Sequence, residues 1–457
     1  MGGAVTDSDA EGVTESVGAE AGWSLEHEAS AAKPTTAMAN GTAFRDQWTM
    51  TGESARPPKE PFVLGVDARP GSIDPVISAE RQKEVGPVRL FVPAETREGE
   101  RRSALVPDTV GKLAALGLEV HVESGAGDPS FATDADFTEA GATVVAAANV
   151  DAALGDADVI ATVRPLDPDR ANKLKAGAVA VSFLQPNADG PTIEAIAGRG
   201  ATALSFDLVP RISRAQSMDA LTSQALVTGY RSALIAAENL PKFFPLFMTA
   251  AGTIPPAKVL VLGAGVAGLQ AIATAKRLGG VVSAYDVRAA SADEVKSMGA
   301  KFVVLDLEEL DSSGGYAKEM TEERAARQRE LLTPFITESD VLITTAAVPG
   351  RQAPRLVTAE MLNGLRPGSV VVDLAAETGG NVEGSVPGES VVINGVTIYG
   401  ARDLASSMPM HASRLFAMNV VALLGLVAKE GELVLDPEDE IIEGCAVVLN
   451  GEIRKGA

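Results

Sequence analysis

From about residue 88 onward the chain alternates between two hydrophobic patterns. Short apolar runs at Val88–Pro93, Glu119–Glu123, Val159–Val163, Ala178–Phe183 and Ala201–Ser205 read as strands. Between them lie stretches with helical spacing, such as Thr109–Leu116, which Gly117 stops. A helix-like stretch, Ala220–Leu240, leads into a second series. That series has apolar runs at Val259–Leu262, just before Asp286, and at Phe302–Leu305, Val341–Thr344, Val370–Asp373 and Val396–Tyr399. A charged helix ends near Leu332, and an apolar helix (Leu415–Val427) and a strand (Cys445–Leu449) close the chain. Strands alternating with helices predict parallel sheets covered on both faces.

The pattern gives an α/β fold class: two Rossmann-like, doubly wound domains with a cofactor cleft between them. The expected division is 88–221 for the first domain, 222–407 for the second, and 408–457 returning to pack on the first. Residues 1–87 are rich in Gly, Ala, Ser, Thr and Glu without a sustained period, and read as a disordered acidic tail. Trp23, Trp48 and a short apolar stretch read as a strand, Phe62–Val66, fall in it. Over 457 residues the net charge is −22, which argues against nucleic acid and against docking on anionic lipid. The single cysteine, Cys445, excludes an internal disulfide framework and fits a reducing compartment. Apolar runs such as Asn419–Ala428 fall short of the roughly 20 residues of a membrane span, and no basic-then-apolar leader opens the chain. A cytoplasmic location is therefore expected. No Cys/His cluster with metal-ligand spacing is present.

One segment carries explicit chemistry. An apolar run enters Gly263-x-Gly265-x-x-Gly268, a helical pattern follows to Leu278, and a second apolar run ends at Asp286. This is the strand, turn, helix, strand and acid of a dinucleotide site. Gly263 allows the turn, Gly265 admits a pyrophosphate to the backbone, and Gly268 lets helix and strand pack closely. Free N–H groups and the positive dipole end at the helix start favour phosphate. Asp286, near the usual spacing of about 20 residues, is placed to accept from a ribose hydroxyl, favouring NAD over its 2′-phosphorylated form. Arg288, two residues on, offsets part of that preference.

From about Val88 to its end the chain resembles the NAD(H)-binding component, domain I, of proton-translocating NAD(P) transhydrogenase. The matching blocks are Val92–Val110, Val209–Gln224, Met248–Gly279, Gly314–Glu323 and Asp373–Glu389. The loop Arg211-x-x-x-x-Gln216-x-x-Asp219 and the loop Gly314-Gly315-Tyr316-Ala317-Lys318-Glu319-Met320 are the specific ones. The resemblance implies a soluble α1-type subunit that holds NAD(H) and passes hydride to NADP(H) on a partner subunit. It also implies a homodimer, and a membrane-embedded subunit that couples transfer to proton movement and brings the complex to the inner face of the cell membrane. It assigns Arg211, Gln216, Asp219 and Thr222 (serine in the family) to the nicotinamide and its ribose. Ile212, Ser213, Val266, Val287, Arg288, Gly315, Tyr316, Gln328 and Ala347 join the glycines and Asp286 as cofactor contacts.

The same superfamily contains alanine dehydrogenase, the rival reading. Its substrate arginine matches Arg102, but its lysine, histidine and aspartate are replaced by Arg164, Gln185 and Glu377. Arginine does not deprotonate in proteins and glutamine does not titrate, so neither supplies the acid–base partner of oxidative deamination. His27, His121 and His411 read as surface or packing residues. Hydride exchange between two nicotinamides moves no proton at a substrate heteroatom, so it needs alignment rather than a base. A non-catalytic NAD-binding protein is the third possibility.

Overall fold

The computed structural model describes residues 87–307, 321–347, 352–429 and 431–455. The acidic tail with Trp23, Trp48, His27 and Phe62–Val66, and the loop with Gly315 and Tyr316, lie outside the described residues.

Two sheets organise the described chain. The first has a parallel core in the spatial order Thr143–Val145, Leu118–Glu123, Val88–Val92, Val159–Ala161, Val179–Ser182, Thr202–Ser205. The second has the parallel order Lys301–Phe302, Val281–Tyr285, Lys258–Leu262, Val341–Thr344, Val370–Asp373, Val396–Gly400. Both wind outward in two directions from their first strand. Central strands such as Val159–Ala161, Val341–Thr344 and Val370–Asp373 are buried along their whole length. Helices on both faces explain why they read as continuous apolar runs rather than alternating ones.

The sheets are parallel only in their cores. Ser390–Ile393 pairs antiparallel with Val396–Gly400, and Glu452–Ile453 pairs antiparallel with Ala446–Leu449. Both hairpins turn on Asn-Gly, Asn394-Gly395 and Asn450-Gly451, with all four residues at positive φ. That is the backbone a two-residue hairpin of right-handed twist requires. Ala446–Leu449 in turn pairs antiparallel with Thr202–Ser205, so the chain's last strands extend the first sheet.

Two further differences concern helices. The closing apolar helix is Pro409–Val427, beginning six residues before the expected Leu415, with proline at its first turn. By length and hydropathy alone it is able to cross a membrane, but Phe416, Val420, Leu423, Leu424 and Val427 lie in the first sheet's core. Cys445 ends a helix, Glu440–Cys445, rather than starting a strand, and its buried thiol is pushed up to about 12 by desolvation.

The helix Ala220–Asn239 joins the two halves. Ala220 belongs to the first core, and Ala233, Ile235 and Ala236 belong to the second. Midway, Gly229 lets it approach the helix Val266–Arg277 so closely that a Cβ there would lie 2.1 Å from the Ala267 carbonyl oxygen.

Candidate functional site

In doubly wound sheets, ligands gather at the carboxyl ends of the strands where the winding reverses. In the second sheet that point lies between Lys258–Leu262 and Val341–Thr344, and the chain leaves these strands at Gly263 and Thr345.

The three turn glycines are required for different reasons. Gly263 has φ +105°, a region side chains rarely adopt, and a Cβ on it would meet Thr345 Oγ1 at 2.4 Å. A Cβ on Gly268 would lie 1.9 Å from the Gly263 carbonyl oxygen. Gly265 has neither constraint: its φ is −74°, and a Cβ would meet nothing within 4 Å. It starts the helix Val266–Arg277, which no side chain caps. The first N–H groups of that helix therefore face open space beside half-exposed Val266.

Asp286 follows the adjacent strand, Val281–Tyr285. Its carboxylate accepts from Ala264 N at 2.7 Å, so the acid ties itself to the glycine turn. It also accepts from Arg288 N (2.8 Å), Nε (3.0 Å) and Nη2 (3.1 Å). Four donors fill the roughly four lone-pair directions of a carboxylate. Beside it, burial pushes the Tyr285 phenol up to about 12. Val287 lies between the acid and the arginine in sequence.

Ala347 is exposed on the loop leaving Val341–Thr344. Gln328 lies on the helix Glu322–Thr337, whose Leu332 shares a core with Leu262 and Tyr285. Gln328 is buried, yet its Oε1 has no hydrogen-bond partner among the described residues. An orphaned buried acceptor is costly unless a ligand satisfies it.

The residues assigned to the nicotinamide lie apart from the turn, at the amino end of the bridging helix. Ser213 and Gln216 are exposed on the 3-10 stretch Ser213–Met218, with Arg211 exposed and Ile212 half-buried just before it. Asp219 caps the helix: it accepts from Thr222 N (2.9 Å) and from Thr222 Oγ1 (2.7 Å). Arg214, which the sequence did not single out, pairs with Asp439 at 2.7 Å. From Asp219 to Gly229, where the helix touches the glycine-turn helix, is about 15 Å of helix, a span suited to an extended dinucleotide.

The first sheet's reversal point is built differently. Glu100 is buried between two arginines: Arg102 Nε and Nη2 donate to it at 2.7 and 2.6 Å, and Arg164 Nε at 2.9 Å. Burial works against its charge, but the Arg102 hydrogen bonds and both guanidinium charges outweigh it and hold the carboxyl at about 2. Arg102 Nη1 donates to Gln224 on the bridging helix at 3.0 Å, and Arg164 pairs with Asp403 of the second half. A cavity of about 180 Å³ opens here, with Glu377 and Arg402 on its wall. Gln185 is exposed and lies outside that wall. Glu95, deeper in, accepts from Val163 N (2.5 Å) and Arg164 N (3.1 Å), and burial raises its carboxyl to about 7.

Sequence reasoning passed over Glu95, Thr345, Asp373 and Asn381. The Gly379-Gly380-Asn381 triplet was the available signal for the last: both glycines take positive φ to turn Asn381 back under the crevice. Among the described residues, no group of three His, Cys, Asp or Glu side chains is arranged to hold a metal ion.

Comparison with known proteins places this geometry. Residues 91–228 match the family model described as Alanine dehydrogenase/PNT, N-terminal domain, and residues 232–456 match Alanine dehydrogenase/PNT, C-terminal domain. The chain is 46% identical over 376 residues to the first of the separate chains that make up NAD(P) transhydrogenase subunit alpha in Rhodospirillum rubrum, covering 80% of this chain and 97% of that one. It is 30% identical over 329 residues to alanine dehydrogenase of Mycobacterium tuberculosis, covering 70% and 82%. The crystal structure of transhydrogenase from Sinorhizobium meliloti matches with a TM-score of 0.70 at 40% identity, over 80% of this chain and 99% of that one.

Proposed function

From the premise that this chain belongs to the alanine dehydrogenase/transhydrogenase family, on its transhydrogenase alpha-subunit side, we propose how it works. It holds NAD(H) in the crevice at Gly263–Gly268 and presents the reduced ring for direct hydride transfer to NADP(H) on a partner subunit. The observation that carries this reading is Gly265. Neither backbone conformation nor packing requires a glycine there. A ligand pressing on the backbone at an uncapped helix start supplies the reason.

The described residues fit such a ligand. The N–H groups from Gly265 onward receive the pyrophosphate, with the helix dipole behind them. Asp286 receives a ribose hydroxyl. Because its four acceptor directions are taken, that hydroxyl displaces one bond from Arg288. The unsatisfied Gln328 Oε1 accepts from the ligand. Arg211, Ile212, Ser213 and Gln216 line the ring end, where Asp219 and Thr222 hold the loop at the helix start. When bound, the dihydronicotinamide supplies the hydride. The chain's own task there is alignment and exclusion of water.

The first half lacks a positioned base, which favours this reading over amino-acid oxidation. Arg164 is engaged by Glu100 and Asp403, and Gln185 does not titrate. The partners we propose are a second copy of this chain, an NADP-binding subunit and a membrane-embedded subunit that keeps the complex at the inner face of the membrane.

Two assays test the reading. Calorimetric titration should give saturable NADH binding, and adding an NADP-binding subunit should start hydride exchange between NADH and an oxidised NADP analogue. Binding without exchange, both proteins being folded, rejects the catalytic role. NADH oxidation by this chain alone with pyruvate and ammonium establishes the dehydrogenase instead.

A further inference from the structure

We propose that Thr345 and Asn381 are positioning residues of the coenzyme crevice. On this proposal they act through the backbone to hold the Gly263 peptide in the orientation that opens the turn to phosphate. The inference rests on the reading of that crevice as the NAD(H) site.

Asn381 is fully buried, and its carboxamide is used up on one stretch of backbone. Oδ1 accepts from Ala346 N at 3.0 Å, and Nδ2 donates to Ala346 O at 2.7 Å and Pro354 O at 2.8 Å. The side chain thus pairs with both polar groups of Ala346, as a neighbouring strand would. Asp373, equally buried, fixes Asn381 from beneath: it accepts from Asn381 N (3.2 Å), Val382 N (3.2 Å), Ala375 N (3.1 Å) and Thr344 Oγ1 (3.0 Å). A carboxylate with this many donors is a rigid anchor in a dry interior.

The residue before Ala346 carries the restraint to the turn. Thr345 Oγ1 donates to Gly263 O at 3.1 Å, while Gly263 N donates to Tyr285 O at 2.8 Å. The Gly263 carbonyl is thereby wedged between the Thr345 hydroxyl and the Cα of Gly268. Its peptide plane determines how the following residues, Ala264 and Gly265, present themselves to a ligand. Neither Thr345 nor Asn381 needs to touch the coenzyme to affect it. A bond from each, 82 and 35 residues away in sequence from its partner, sets the crevice's two walls against each other.

The test uses the full chain with its NADP-binding partner. Thr345→Val keeps shape but removes the donor, and Thr345→Ser keeps the donor. Asn381→Asp keeps the acceptor for Ala346 N and replaces both donors. Thr202→Val, which breaks the bond from Asn450 N in the first sheet, controls for a lost buried hydrogen bond elsewhere. Thr345→Val and Asn381→Asp should raise the NADH Kd and KM about tenfold, the value of one well-placed hydrogen bond. Turnover at saturating NADH should hold, because the ring end is untouched. Thr345→Ser and Thr202→Val should stay within about twofold of the wild type on the same scale. The proposal is overturned if folded Thr345→Val binds NADH like the wild type, if Thr202→Val weakens binding equally, or if kcat falls while KM stays. Wild-type protein that fails to bind NADH overturns instead the reading of the crevice, and the inference falls with it.

Discussion

The separate roles of the turn glycines make Gly265→Ala the most discriminating substitution. In the protein alone the new methyl meets nothing within 4 Å, and φ of −74° suits alanine. Two small effects oppose each other. Restricting the unfolded chain stabilises by about 0.4–1 kcal/mol, and alanine is the poorer helix N-cap by about the same amount. Net stability should therefore change by no more than about 0.5 kcal/mol, roughly 1–2 °C in a body of this size. Binding should respond quite differently. The methyl stands where a pyrophosphate approaches, and a lost hydrogen bond from backbone N–H to a charged oxygen costs about 1.5–3 kcal/mol. NADH affinity should fall by at least about tenfold for each such bond. Gly268→Ala is the counterpart: its methyl would lie 1.9 Å from the Gly263 carbonyl oxygen, so it should fail to fold rather than merely fail to bind. Thermal unfolding and calorimetric titration of both variants give the comparison. A Gly265→Ala protein that melts like the wild type and binds NADH equally well refutes the reasoning, because the open side of the turn would then face no ligand.

Asp286→Asn should lose both affinity and stability, since the same carboxylate anchors Ala264 N and Arg288; about 1–3 kcal/mol of unfolding free energy and at least tenfold in NADH Kd are expected, read by denaturant titration and calorimetry. Gln328→Met removes an orphaned buried acceptor and should stabilise the ligand-free protein by about 1 kcal/mol while weakening NADH binding; a less stable variant contradicts the orphan's cost. Glu95 gives a pH signature. Its carboxyl is raised from 4.5 to about 7, so its contribution is fully present below pH 4.5 and is lost as pH rises through about 7. Relative to Glu95→Gln, the wild type should lose up to about 3 kcal/mol over that window, and equal denaturation midpoints at pH 5 and 8 would show that burial does not govern this carboxyl.

Much of the architecture was legible along the chain because parallel strands buried on both faces leave unbroken apolar runs, as at Val341–Thr344 and Val370–Asp373. The antiparallel edges were legible too, in Asn394-Gly395 and Asn450-Gly451, but were missed: the outer strand Ser390–Ile393 is half exposed and Glu452–Ile453 is exposed, so neither reads as a buried run. Helix limits were read short where the signal was a proline rather than an apolar period, as at Pro409. The glycine turn and its acid declare themselves locally, since strand, turn, helix and acid follow one another within a single βαβ unit.

By itself, then, the order of residues determined the kinds of element, their alternation and the chemistry of the Gly263–Asp286 unit. All of these depend on neighbours a few positions apart. Only the tertiary structure decided that Asp286 spends its oxygens on Ala264 and Arg288, and that Arg164 closes on Glu100 and Asp403. The same holds for Asn381, which props the loop facing Gly263. These bonds join segments far apart in sequence. Burial, which makes an unpartnered polar group expensive, selects such partners only after the sheets have brought them together.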